Sequence, residues 1–409
     1  MATNAISSGR LVDSSPEPKN VPGGGRRLRI AVFNRNFSPA AGGAERYAIA
    51  LVENLADRHD IHVFSQTLAH SWPGVTYHTV PTPFTRPRWI NQWWFATATW
   101  WATRRGFDVV HSHETTWHGQ VQTVHVLPVK YTLFHGLVGW RKFVRYSHVV
   151  TSPRLLAYLW LERVRFADSP QRQIVVTSPN LLSRMADVYP ATQPALQVLA
   201  PGVKAPGGQV PPKAQLAARK RLGLPELGSG ILFVGNDFRK KGLETLIMAL
   251  ERLPHNVWLA VVGSSAQEPA FRAQVQLAGL LDRIFFVGAM NDVGPAYAAA
   301  DCLAHPTRED TFAMVVLEAM ANGLPVAVSA EHYCGISGLL THEVNALILA
   351  DPRDASALAG ALLRLLTEPV LRQGLVDAGL QFASLRQWSS VAAQQEKIYY
   401  AAASCNPNR

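Results

Sequence analysis

Two acids and two lysines are the residues of this chain whose types and spacing could do chemistry. Asp310 and Glu318 lie eight positions apart in the stretch His305 to Pro325, HPTREDTFAMVVLEAMANGLP, and Lys240 and Lys241 are adjacent in NDFRKKG, Asn236 to Gly242. A polar loop, Thr307 to Thr311, leads into an apolar segment, Phe312 to Met320, broken only by Glu318. The pattern predicts a helix from about Phe312 to Ala321, with Asp310 or Thr311 capping its start and Gly323 in the left-handed turn past its end. A helix apolar on nearly every face is buried, and a buried carboxylate is costly unless something binds it. Two acids near a positive helix end form a site for a polyol, because carboxylates accept hydrogen bonds from hydroxyls. The backbone amides of Phe312, Ala313 and Met314 are candidates for holding a polar or anionic ligand. Lys240 and Lys241 follow a strand and precede a helix, where two cations and helix amides suit a diphosphate. The plainer alternatives are a Glu318 that faces solvent at a domain edge, an Asp310 that only caps, and a solvated basic loop.

A second set of candidates lies in the first half. Leu28 to Asn34 reads as a strand, Arg35 to Gly43 as a loop ending Ala-Ala-Gly-Gly, and Ala44 to Arg58 as a helix. Gly42 and Gly43 would let a phosphate approach the backbone, although many such loops use glycine merely to turn. His111, His113 and His125 fall at the ends of the predicted strands Phe107–His111 and Val121–Val126. Open α/β sheets bind ligands at those ends. A packed or capping histidine is the alternative for His125. His111 and His113 would need a third ligand to hold a metal, and none is evident.

The elements that must position these residues alternate strand and helix twice over, so the fold class is α/β with two Rossmann-like parallel-sheet domains. A chain of 409 residues, 48% hydrophobic and 17% charged, can bury two sizeable cores. Residues 1–27, rich in Ser, Pro and Gly, read as a disordered extension. A Pro/Gly-rich linker begins at Lys204 and runs to about Pro212. The net charge of +10 favours anionic partners; with no nucleic-acid recognition motif and the basic residues spread over both halves, nucleic acid is not the expected one. Three scattered cysteines, Cys302, Cys334 and Cys405, indicate a reducing compartment. No apolar run approaches the roughly 18 residues of a spanning helix, and no signal-peptide core opens the chain. The expected location is cytoplasmic, with room for peripheral contact with a membrane. That contact is suggested by Arg86 to Arg105, RPRWINQWWFATATWWATRR, which has five tryptophans and no acid. At 100° per residue Trp89, Trp93 and Trp100 fall within about 40° of one another, with Arg104 and Arg105 at one end. Such a face suits either the bilayer interface or packing on the sheet.

Taken together, the motifs resemble a known family. The spacing acid-x7-acid followed by A-M-A-x-G-L-P-V, N-D-F-x-x-K-G at Asn236, G-G-x-E-R at Gly42, A-P-G-V at Ala200 and N-A-L-I-L at Asn345 look like those of the retaining GT-B glycosyltransferases of family four. Among them the resemblance is to the lipopolysaccharide core (heptosyl) glucosyltransferase I group. The family usually has Glu where this chain has Asp310, Gly where it has Ala313, and Arg where it has Lys240. The resemblance implies a GT-B enzyme whose residues 28–203 bind the acceptor and 204–387 the nucleotide sugar. Residues 388–409 would then form a helix that crosses back. It implies hexosyl transfer, with UDP-glucose as donor and a lipopolysaccharide core or similar glycolipid or polysaccharide as acceptor, with retention and without metal or other cofactor. In that scheme Asp310 orients donor-sugar hydroxyls, Glu318 holds the ribose, and Lys240 and Lys241 meet the diphosphate. Gly42 and Gly43 contact diphosphate or acceptor, and His125 lies near the transferred sugar. The rival readings are a non-catalytic nucleotide-sugar-binding scaffold and a transferase with another donor acting on capsule or another glycolipid.

Overall fold

The computed structural model describes residues 26–39, 42–169, 171–204 and 207–405. The expected N-terminal extension falls almost wholly outside them. Two wholly parallel sheets organise the rest. The first runs, in spatial order, Val75–Thr79, Asp60–Ser65, Arg29–Phe33, Val109–Ser112, Val121–Val124, Gln173–Val176 and Leu196–Val198. The second runs Ile284–Gly288, Val257–Val262, Ser229–Val234, Cys302–His305, Val326–Ser329 and Leu347–Leu349. In each sheet the chain starts in the middle, moves to one edge and returns to fill the other side. The place where that direction reverses is where open sheets bind ligands, outside the strand C-termini.

Both faces of each sheet are covered, which is why the strands read as continuous apolar runs. Ile30 and Val32 point into one layer with Tyr47, Leu51 and Tyr399, while Ala31 and Phe33 point into the other with Phe64 and Phe95. In the second sheet Leu232 joins the layer that contains Val316, Leu317 and Met320, and Ile231 and Phe233 join the opposite one. The two-residue period of a strand thus sorts each side chain to its layer.

The chain leaves the first domain at Val203 and returns to it at Trp388. There Val203 N–H donates to the Arg386 carbonyl at 2.8 Å and Trp388 N–H to the Val203 carbonyl at 3.2 Å. A Cβ on Gly202 would sit 2.9 Å from Trp388, so the crossing admits only glycine. The helix Trp388–Ser404 then packs on the first domain, where Tyr399 Oη lies 2.7 Å from His111 Nδ1.

The basic, aromatic region from Leu137 to Ala167 divides into Gly139–Val150 and Pro153–Arg165, preceded by a short helix, Val129–Phe134. The break follows from Ser152-Pro153, because proline drives the preceding residue out of the helical region and Ser152 caps the new helix. The tryptophans of the helix Arg88–Thr103 are not its buried stripe, which is Gln92, Phe95, Ala96, Thr99 and Thr103; Trp93 stacks on Trp160 with ring centroids 4.6 Å apart, and Trp94, Trp100 and Trp101 are exposed. One local expectation is corrected: the helix expected from Phe312 begins at Met314.

Candidate active site

The late start of that helix comes from Asp310. Its Oδ1 accepts from the backbone N–H of Phe312 at 3.2 Å and of Ala313 at 2.9 Å. These two amides, expected to be available to a ligand, are therefore engaged by the cap. Its backbone is pinned as well: Asp310 N–H donates to the Tyr333 carbonyl at 2.7 Å, and Gly335 N–H to the Asp310 carbonyl at 2.9 Å. Ala313 closes the loop in the left-handed region, at φ 72°, where a side chain costs about 1–2 kcal/mol. A glycine there would be free of that cost.

Oδ2 of Asp310 forms an ion pair with Lys241 Nζ and lies 3.3 Å from Nε2 of the buried His305. Burial by itself would raise the Asp310 pKa, but Lys241 and His305 outweigh it and hold the carboxyl well below its usual range. Lys241 is thus fixed beside a helix N-terminus by a permanently ionised acid. Lys240 points elsewhere, pairing with Glu309 at 2.5 Å on an exposed part of the same loop. The two lysines are not equivalent.

Glu318 lies about one turn along the helix Met314–Ala321. It is not a solvent-facing edge residue, and Asp310 is not its partner. Tyr297 Oη donates to its Oε2 at 2.7 Å, and Arg46 of the first domain lies 3.6 Å from its Oε1. Burial raises its pKa against the Tyr297 hydrogen bond and the charges of Arg46 and Lys204.

The first domain meets this helix through its own switch point. Gly43 opens the helix Gly43–Leu55, and a Cβ on it would come 3.6 Å from Met314 Sδ. A Cβ on Gly42 would come 3.0 Å from Glu45 Oε2. Gly43 therefore lies against Met314, the first residue of the helix Met314–Ala321. His125 sits one residue past its strand. Its Nε2 lies 2.9 Å from His113 Nδ1, the two rings stack at 15°, and its backbone carbonyl accepts from Thr311 Oγ1 at 2.6 Å across the cleft. Burial pulls the His125 and His111 pKa values down to about 3, so both are neutral near pH 7. Among the described residues no group of three or more His, Cys, Asp or Glu is arranged to hold a metal ion.

Further bonds shut the cleft. Arg184 donates to the His332 carbonyl at 2.5 Å, and Asn180 donates to the Glu331 carbonyl. The void they leave beside Asp310, Thr311 and Ser178 is about 10 Å³, room for about one water.

The structure therefore brings together Asp310, Lys241, Glu318, Met314, Gly42, Gly43 and His125 at two facing switch points. Lys240 lies at the rim, and Trp89, Trp93, Trp100, Arg104 and Arg105 lie on the separate helix Arg88–Thr103 and the turn after it. Sequence reasoning missed Arg46, Tyr297 and His305, and expected of Thr311 only a helix cap. The signal for Arg46 was present, one residue past Glu45 in G-G-x-E-R; Tyr297 had none, because its partner is distant in sequence.

Two doubly wound domains facing across a cleft, each with its switch point at the seam, define the GT-B class of glycosyltransferase. Residues 215–382 match the family model of glycosyl transferases group 1, and residues 41–205 that of glycosyltransferase family 4. The chain belongs to this group of glycosyltransferases. It is 28% identical over 248 residues to the lipopolysaccharide glucosyltransferase WaaG of Escherichia coli, covering 59% of this chain and 65% of that protein. It is 35% identical over 190 residues to a phosphatidyl-myo-inositol mannosyltransferase of Mycobacterium leprae, covering 45% and 49%. The chain thus aligns with about half to two thirds of the length of these relatives. The crystal structure of WaaG superposes with a TM-score of 0.78 at 23% identity, covering 90% of this chain and 99% of that one. Anabaena Alr3699/HepE in complex with UDP and glucose superposes with a TM-score of 0.72 at 17% identity, covering 91% and 99%. These two likenesses show the fold.

Proposed function

We propose that the protein transfers a hexose, glucose in the first instance, from a UDP-sugar to a hydroxyl of a lipopolysaccharide core or similar glycolipid, with retention and without a metal. The observation that carries this reading is the Lys241–Asp310 pair at the N-terminus of a buried helix, with Glu318 about one turn along and His125 facing it. A diphosphate leaving group must be neutralised as it departs. Lys241 and the helix end supply that charge in place, where preorganised electrostatics is worth several kcal/mol. Glu318 accepts from ribose hydroxyls. Once the diphosphate draws Lys241 away, Asp310 has lone pairs for donor-sugar hydroxyls. The acceptor hydroxyl attacks the face from which the diphosphate leaves, and a phosphate oxygen takes its proton. The similarity to WaaG supports the choice of donor and acceptor.

Contact with an anionic membrane belongs to the same proposal, although its support shifts from the tryptophan-rich helix to Gly139–Val150. That helix buries only Val149. Trp140 and Phe143 are each 74% exposed, and Val144 and Val150 are exposed beside them. At 100° per residue Trp140, Phe143 and Val144 lie about opposite Val149, so the apolar face points away from the protein with Val150 at its edge, while Arg141, Lys142 and Arg145 lie nearer the Val149 side. An outward apolar face on a basic helix suits an anionic bilayer surface. No helix among the described residues is long and apolar enough to cross one.

The test is a thermal-shift panel of UDP-glucose, UDP-galactose, UDP-N-acetylglucosamine, GDP-mannose and UDP, with and without EDTA. A ligand at 100 times its dissociation constant adds about 2.7 kcal/mol. The expected result is a shift with UDP-glucose that survives EDTA. No shift with any nucleotide would overturn the reading.

A further inference from the structure

Arg46 carries an arrangement that neither the donor site nor the glycine loop accounts for alone. It stands in the first turn of Gly43–Leu55. Its backbone N–H donates to the Gly42 carbonyl at 3.1 Å, and its Nε donates to the Pro39 carbonyl at 3.0 Å. The first bond is the ordinary start of the helix; the second ties the side chain to Pro39. Its guanidinium then reaches across the cleft to within 3.6 Å of Glu318 Oε1. The two oxygens of Glu318 have different partners, Tyr297 on Oε2 and Arg46 on Oε1. At 3.6 Å the Arg46 contact is an ion pair too long for a hydrogen bond. It supplies charge while leaving Oε1 lone pairs for a hydroxyl donor.

We propose that Arg46 is a positioning residue for the nucleotide: by pairing with Glu318 across the cleft it orients the carboxylate that binds the ribose, so that the donor pocket is complete only with this arginine of the first domain in place. The proposal rests on the assignment of Glu318 to the ribose. Its consequence is that a residue of the acceptor-side domain sets donor affinity. An ionised Glu318 can accept two hydroxyl hydrogen bonds, and a protonated one loses part of that capacity. Three groups facing it bear on its ionisation: Tyr297 from a neighbouring helix, Lys204 from the linker and Arg46 from the other domain.

Titration calorimetry of UDP against the wild type, Arg46→Met, Arg46→Lys and Glu318→Gln between pH 5 and 8.5 tests this. In the wild type, UDP affinity should fall on the acid side as Glu318 protonates. Arg46→Met should weaken UDP binding about tenfold on the acid side and less on the alkaline side, with the acid limb moved to higher pH, the direction expected on removing one nearby opposite charge. Arg46→Lys should restore the limb but not the full affinity, because lysine keeps the charge and loses the fork that also grips Pro39. Glu318→Gln should abolish the limb. If Arg46→Met, folded with an unchanged melting temperature, binds UDP as the wild type does at every pH while Glu318→Gln loses the limb, the inference about Arg46 is wrong and the donor site stands. If the wild type binds no UDP, or Glu318→Gln is without effect, the donor-site assignment itself fails and Arg46 with it.

Discussion

The two switch points have the same topology and opposite electrostatics. In the second domain the site is built from charges: Asp310 is paired with Lys241, bonded to His305, and caps the helix Met314–Ala321. In the first domain the groups lining it are mostly neutral, two glycines and three histidines, with His125 stacked on His113 and His111 bonded to Tyr399 and Thr123, and the charges of Arg165 and Glu45 lie beside them. The contrast matches what the proposed reaction asks of each side. A diphosphate is a polyanion whose charge grows on the leaving oxygen, and fixed cations and helix ends answer it. An acceptor hydroxyl is neutral until it attacks, and a permanent charge opposite it would cost desolvation energy without return. Arg46 is where the two styles meet.

The largest effect should come from breaking the charged side. Lys241→Ala leaves Asp310 as a buried anion without its counter-ion, held by His305 and the amides of Phe312 and Ala313, and removing one member of a buried ion pair typically costs about 3–5 kcal/mol; those bonds and some exposure of both side chains place this pair at the lower end. Chemical denaturation at pH 7 should show a loss of about 3 kcal/mol, and UDP-sugar binding should vanish. Asp310 adds a pH signature to the same site. Its folded pKa is depressed, so its contribution is present above the unfolded value of about 4 and is lost as pH falls through the folded value. Acid unfolding that is steeper in the wild type than in Asp310→Asn would show it. A wild-type level of UDP-glucose binding in Lys241→Ala would end the idea that charge distinguishes the two sides.

The neutral side should answer in a different pH window. His125 has its folded pKa lowered to about 3 by burial, while its unfolded value is about 6.5. Between those values the unfolded chain binds the extra proton. Stability present above pH 6.5 is therefore lost as pH falls toward 3, by up to about 1.4 kcal/mol per pH unit for one histidine. His125→Asn should flatten the dependence of unfolding free energy between pH 6.5 and 4.5 by that slope. Because the histidine stays neutral across the working range, turnover should show no limb near pH 6.5 that His125→Asn removes. Such a limb would mean that His125 titrates during catalysis and that the first-domain site is not neutral.

These effects also show what was readable from the residues. The paired sheets were legible because each strand is a run of apolar residues between turn signals, and that pattern survives any tertiary detail. Asp310, Glu318, Lys240 and Lys241 were visible as charges out of place in apolar surroundings. What the residues could not show was which charge meets which. Lys240 and Lys241 read alike, and only the fold turns one to Asp310 and the other to the exposed Glu309. The partners of Glu318 lie 21 residues away at Tyr297 and in another domain at Arg46, and periodicity carries no information across such distances. The amides of Phe312 and Ala313 looked available because helix N-termini have unsatisfied donors by default; the cap that consumes them was expected from the same residue, and the two expectations compete. The aromatic stretch was ambiguous for a related reason. Trp89, Trp93 and Trp100 share a helical face in projection, but the sheet takes the stripe led by Phe95 and Ala96 instead. The helix with the outward apolar face is Gly139–Val150, whose start and end depend on Gly139 and on Ser152-Pro153.

The smallest effect concerns Ala313, and it sharpens the comparison because it separates backbone shape from charge. The residue sits at φ 72°, one of two described non-glycine residues with positive φ; the other is Glu343. It is held there by its own amide bonding to Asp310 and by the start of the helix that follows. Replacing it with glycine removes a steric cost of about 1–2 kcal/mol and adds the entropy of a freer unfolded chain, roughly 0.5–1 kcal/mol. The net expectation for Ala313→Gly is a gain of at most about 1 kcal/mol. UDP affinity should hold to within about threefold, a change of under 1 kcal/mol, since the Lys241–Asp310 pair is untouched. A melting-temperature rise with unchanged binding would mean that the alanine taxes only the backbone. A loss of stability would mean that the loop needs the methyl group, which is buried among the apolar side chains of the second domain. A gain in donor affinity beyond tenfold would place the strain itself in the binding step, and the donor side would then differ from the acceptor side in conformation as well as in charge.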